Sequence, residues 1–271
     1  MALLLALCLG CIRESVLRSS LVPLPTLPPM PAHGGKFDFS VTSSTLSGAS
    51  EPNYVGSASS LYVPREQVEG AVSIHWSRRF TARADWLVGV SDGTVPLAGT
   101  AMRSPRGVLF GFGSGVTIRV GALDRPWFLE LSADALLVSV PSFVRLCGAP
   151  CPVGTPGHKE GLGVFLFSAG AVGGIRVAPE VAIIFASAVR SQPTTEATFP
   201  SIDSRSDVSV GSPNWLVGFG VELRLKPWLR VTPIVQFPVT ASPVRYAPIL
   251  TLGLSFSTVD EPQSAPELRA R

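Results

Sequence analysis

The chain has 271 residues, of which 46% are hydrophobic and only 15% charged, and its mean hydropathy is +0.35. A net charge of +3 is too small to argue for nucleic acid as a partner, and no apolar run approaches the roughly 20 residues that a membrane-spanning helix needs. The surplus apolar side chains must therefore face either a soluble core or lipid from extended segments, and 26 glycines with 25 prolines suit many turns rather than helices.

Residues 1–11 contain Leu3-Leu4-Leu5-Ala6-Leu7-Cys8-Leu9-Gly10-Cys11, the apolar stretch of an export signal. Its end resembles the lipobox of bacterial lipoproteins, which would make Cys11 a lipidation site. Residues 12–35 carry Pro23, Pro25, Pro28, Pro29 and Pro31 and read as a semi-extended linker.

Alternation begins at residue 36. Phe37, Phe39 and Val41 share one parity, with Asp38, Ser40 and Thr42 on the other. A long segment to about residue 68 has room for one short strand near Tyr54–Tyr62. Val72, Ile74 and Trp76 then alternate with Ser73, His75 and Ser77. Past a turn at Arg78-Arg79, Ala82 to Val90 alternate with Arg83, Asp85 and Gly89. After a loop at 91–106, Val108 to Val120 alternate with Gly111, Gly113, Gly115, Thr117 and Arg119. Asp124-Arg125-Pro126 turns the chain into Trp127 to Leu137, with Glu130, Ser132 and Asp134 on the polar side.

A loop at 142–161 holds Cys147 and Cys151, close enough for a small surface disulfide and hence an oxidising compartment. A metal site recruiting His158 is the alternative, but no complete ligand set accompanies it, and no metal or cofactor is expected. Residues 162–177 and 181–190 form a hairpin of weaker alternation that includes Arg176. Residues 191–212 are a polar loop. The clearest alternation follows: Trp215 to Leu225, a Lys226-Pro227 turn, Leu229 to Val239, and Leu250 to Phe256, with Glu222, Arg224 and Arg230 on the polar parity. Pro233, Pro238 and Pro248 each remove a ladder donor and predict bulges or strand ends. Residues 259–271 are a charged tail.

Period two with one continuous apolar face predicts strands throughout. The connections near residues 79, 124, 179 and 227 are short. Those at 45–68, 91–106, 142–161 and 191–212 are long, and 241–245 is a shorter member of that set. Short and long alternate strictly, as they do in transmembrane barrels. In lipid such a sheet must close, because unpaired edge groups there cost several kcal/mol each. The expected fold is all-β: an antiparallel up-and-down transmembrane β-barrel over residues 36–258, with about ten strands and eight to twelve allowed.

On this pattern residues 36–258 resemble bacterial outer-membrane β-barrel proteins as a broad class. The resemblance implies the outer membrane as location and its lipid as partner. Trp76, Trp127, Trp215 and Trp228 are expected at the membrane interfaces. The lumen parity collects Asp38, His75, Arg83, Asp85, Arg119, Glu130, Asp134, Arg176, Glu222, Arg224 and Arg230. Because a barrel of ten strands is narrow, these are expected to fill it as a charged network, giving a structural or weakly permeating, porin-like protein. An arginine excess would favour a small polar or anionic solute.

Two other readings stand beside this one. The first is a soluble β-barrel or sandwich of the periplasm or cell surface that binds an apolar ligand. The second is a barrel enzyme with its site at the outer rim. His75 with Asp85 is the acid–base pair to consider, but the topology puts His75 at the inner end, and no enzyme is expected. Gly111-Phe112-Gly113-Ser114-Gly115 looks like a phosphate loop only on the surface; glycines facing a crowded lumen explain it better.

Overall fold

A computed structural model describes residues 14–30, 36–47, 51–52, 59–91, 107–120, 126–148, 157–191, 193–195, 208–210, 213–239, 244–245 and 247–258. The expected signal at 1–11 with Cys11, the tail at 259–271, and Cys151 of the expected disulfide lie outside these.

In chain order the strands are β1 (Glu14–Leu21), β2 (Phe37–Leu46), β3 (Glu51–Pro52), β4 (Ser59–Tyr62), β5 (Glu66–His75) and β6 (Phe80–Ser91). Next come β7 (Gly107–Val120), β8 (Trp127–Gly148), β9 (Gly157–Ala178), β10 (Val181–Arg190), β11 (Pro193–Thr195) and β12 (Val208–Val210). The last are β13 (Asn214–Lys226), β14 (Leu229–Pro238), β15 (Val244–Arg245) and β16 (Ile249–Ser257).

Ten of them, β2, β5 to β10, β13, β14 and β16, form one antiparallel meander, each paired with the next. The ring closes where β16 meets β2, with Leu254 opposite Val41. Closure leaves the meander no free edge, and two stacked layers are not formed. The short turns and both barrel termini share one end, and the long connections share the other, as the alternation of loop lengths predicts. The β13–β14 ladder has pairs at Gly220–Ile234 and Leu223–Val231 and skips the two between, where Pro233 lacks an N–H.

Side-chain placement is inverted relative to a soluble protein. Phe112 is 61% exposed and Phe110, Phe165, Phe167, Phe185 and Phe219 also face outward, whereas Asp38 is 2% exposed and Arg83 4%. The large apolar residues thus form an outward belt, the condition for residence in hydrocarbon. Of the four expected interfacial tryptophans, Trp76, Trp127 and Trp228 ring the short-turn end and Trp215 stands at the loop end; all are exposed. Trp228 stacks on Phe256 at 6.3 Å between ring centroids, and the Trp215 indole N–H donates to Ser187 at 2.7 Å.

Two expectations are corrected. The first concerns residues 142–161, read as a loop. β8 runs on to Gly148 and β9 begins at Gly157, so their hairpin rises past the barrel rim at the loop end. The second concerns residues 12–35, read as a linker outside the barrel. β1 instead pairs with the raised part of β8, Ser20 opposite Ser142 and Glu14 opposite Gly148. Residues 22–30 then descend inside the lumen, and Leu21, Val22 and Leu24 are fully buried.

Candidate functional site: the occupied lumen

The descent can be followed contact by contact. At the loop end, Leu21 and Val22 pack with Leu87, Leu109, Leu136 and Val138, and the Val22 N–H donates to the Tyr62 carbonyl at 2.8 Å. One turn of chain further, the Gln67 side chain holds Leu24 twice. Its Oε1 accepts the Leu24 N–H at 2.8 Å and its Nε2 donates to the Leu24 carbonyl at 3.2 Å. Arg190 Nη1 donates to the Thr26 carbonyl at 3.1 Å and to Glu69 Oε1 at 2.9 Å. The Thr26 hydroxyl itself donates to Glu69. Leu27 enters an apolar patch of Val172, Ile184 and Ile234, and its N–H donates to Gln236 Oε1 at 3.0 Å. Nearer the short turns, Arg83 Nη1 donates to the Pro29 carbonyl at 2.9 Å, and the Ser255 hydroxyl to the Met30 carbonyl at 3.0 Å. Three gaps lined by the described residues are about 20, 10 and 10 Å³, each near the volume of a single water.

Asp38, Arg83, Asp85, Glu130 and Asp134 are buried on the lumen parity. Arg83 lies 3.5 Å from both Asp85 and Asp134, and Ser168 donates to Asp134 at 2.5 Å. Arg119 sits 4.0 Å from Glu130 with its guanidinium over the Phe128 ring. Glu222 and Arg230 pair at 3.2 Å nearer the short turns, where Arg176 and Arg224 are exposed at the mouth. The charges therefore share the interior with a peptide segment rather than filling it alone. Gly115 makes room for this cluster: a Cβ there would stand 2.6 Å from Arg83 Nη2 and 2.8 Å from Asp85 Oδ2.

His75 is at the short-turn end, and its carboxylate neighbour is Asp38 rather than Asp85. Nε2 lies 2.5 Å from Asp38 Oδ2 and Nδ1 lies 2.7 Å from the Thr81 hydroxyl. With Thr81 only 1% exposed, the relay acts as a clamp across β2, β5 and β6. Among the described residues no group of three His, Cys, Asp or Glu is placed to hold a metal ion.

Four lumen residues escape the sequence reading: Gln67, Glu69, Arg190 and Asn214, all buried. Their signal was parity. Gln67 and Glu69 continue the alternation of Ser73 and His75 backwards, and Arg190 continues that of Ala182 and Ile184. The sequence reading also passes over Gly89-Val90-Ser91-Asp92-Gly93, which has the spacing of a nucleophile elbow. Gly89 to Ser91 close a barrel strand paired to β7, whereas an elbow joins a strand to a helix.

No family model matches the sequence, and no curated protein matches it. Among solved structures the chain is similar to the NanC porin at 8% identity, over 81% of this chain and 100% of that one, with a TM-score of 0.38. It is similar to LpxR from Salmonella typhimurium at 6% identity, over 82% and 100%, with a TM-score of 0.40. It is also similar to the translocator domain of autotransporter NalP from Neisseria meningitidis at 10% identity, over 82% and 88%, with a TM-score of 0.35. By its own strand pairings the class of this chain is a closed, antiparallel, ten-stranded β-barrel. The expectation of a protein without enzymatic activity is withdrawn, because a closed β-barrel does not by itself exclude catalysis.

Proposed function

We propose that this chain is a bacterial outer-membrane barrel whose lumen is sealed by its own residues 20–30, with Glu14 held at the long-loop face. The observation that supports this reading most is the continuous burial of that segment from the loop end to the short-turn end. Three features add to it: the outward apolar belt, the tryptophans at both rims, and gaps near one water in volume among the described residues. A sealed lumen makes the resting protein a structural barrel, and its polar lining becomes a solute path only when the segment leaves.

Planar-bilayer recording tests the proposal. The full chain is expected to give a flat baseline. A full-length chain with Val22–Met30 replaced by alternating glycine and serine is expected to conduct. Steady conductance from the unaltered chain, equal to that of the replaced one, would overturn the sealed-lumen reading.

A further inference from the structure

The lumen wall holds this segment mainly by its backbone. Of residues 22–30, Pro23, Pro25, Pro28 and Pro29 have no N–H to satisfy. Of the five remaining amides, those of Leu24 and Leu27 donate to the wall and that of Val22 donates to Tyr62 of β4. The carbonyls of Leu24, Thr26, Pro29 and Met30 are met by Gln67, Arg190, Arg83 and Ser255. Backbone groups belong to any sequence, and proline-rich chains are already extended, so they lose little entropy on being held straight. Side-chain recognition is limited to the Thr26 hydroxyl, which bonds Glu69 and Arg190, and to the apolar residues between the prolines. Gly218 has a would-be Cβ 2.9 Å from Leu27 Cδ1, and it leaves space for one such residue.

From this arrangement we propose that the lumen is a binding site for extended, proline-rich polypeptide, occupied in the resting chain by residues 22–30 and open to a second such peptide in trans. The proposal rests on the sealed-lumen reading and adds a ligand class to it. Gln67 and Gln236 are the anchoring residues. Each presents an amide to a backbone N–H of the bound chain, and each is itself held by a wall side chain, Gln67 by Glu69 at 2.6 Å and Gln236 by Thr251 at 2.6 Å.

The test uses the full-length chain carrying the glycine–serine replacement of Val22–Met30, folded in detergent micelles, with folding confirmed by heat-modifiable migration. A fluorescent synthetic peptide of residues 20–31 is titrated against it by anisotropy. The proposal expects saturable binding at least tenfold tighter than that of a glycine–serine peptide of equal length. It also expects Gln67→Leu, in the same background, to weaken binding at least tenfold. If the replaced chain does not fold, the titration uses the natural chain cut by a protease within an engineered site at 31–35 after folding. A folded, conducting barrel that binds neither peptide, or both equally, overturns the proposal while leaving the seal intact. A folded chain that lacks its segment yet does not conduct overturns the sealed-lumen reading itself.

Discussion

At the scale of single residues, the Glu69–Arg190 pair at 2.9 Å joins two barrel walls through Thr26. Both side chains are nearly fully buried. Removing one partner of such a pair leaves an uncompensated buried charge and costs about 3–5 kcal/mol. Glu69→Leu is therefore expected to lower unfolding stability in urea-titrated lipid vesicles by that amount. The double variant Glu69→Leu with Arg190→Met should regain most of the loss; equal loss in both would show that the pair is not what matters. Gly115→Val puts methyl groups where Arg83 and Asp85 stand, and overpacking of this kind costs about 1–3 kcal/mol. Asp38, Arg83, Asp85, Glu130 and Asp134 were legible from parity, since polar residues between apolar ones on a barrel strand have only the lumen to enter. Glu69 and Arg190 were not, because each sits at the far end of a strand whose apolar alternation had already faded.

At the scale of strands, each element is held by two different solvents, and the energetics differ by depth. Phe112 lies in the middle of β7 on the outward face. An arginine at the bilayer midplane of a barrel costs about 2–4 kcal/mol, falling to about 0–1 kcal/mol near the interfaces. Phe112→Arg should destabilise by the larger figure and Trp76→Arg, in the short turn and 75% exposed, by the smaller. Equal effects in vesicle unfolding would contradict the placement of the belt. Strands β2, β5, β7 and β13 were readable because their two faces differ. β9 and β10 blurred for a physical reason. Val164, Leu166, Ile184 and Ala186 face the lumen and cluster with Leu21 and Val22 or with Leu27, so both faces of those strands are apolar. The raised hairpin of β8 and β9 was hidden in the same way, since it serves β1 rather than lipid.

At the scale of the whole molecule, the chain passes through its own barrel before building it. The closed ten-strand ring was legible because loop lengths alternate and strand parity is strict. The occupant was not, because prolines spaced along an apolar stretch look the same in a solvated spacer and in a lumen where missing N–H groups are an advantage. Amide hydrogen exchange over residues 20–30 of the intact chain in detergent micelles tests the threading most directly. The amides of Leu24 and Leu27 donate to the wall and that of Val22 to Tyr62 of β4, so they should exchange as slowly as those of the barrel strand β10. Complete exchange within seconds, at the rate of an unstructured peptide, would place the segment outside the lumen and contradict the account.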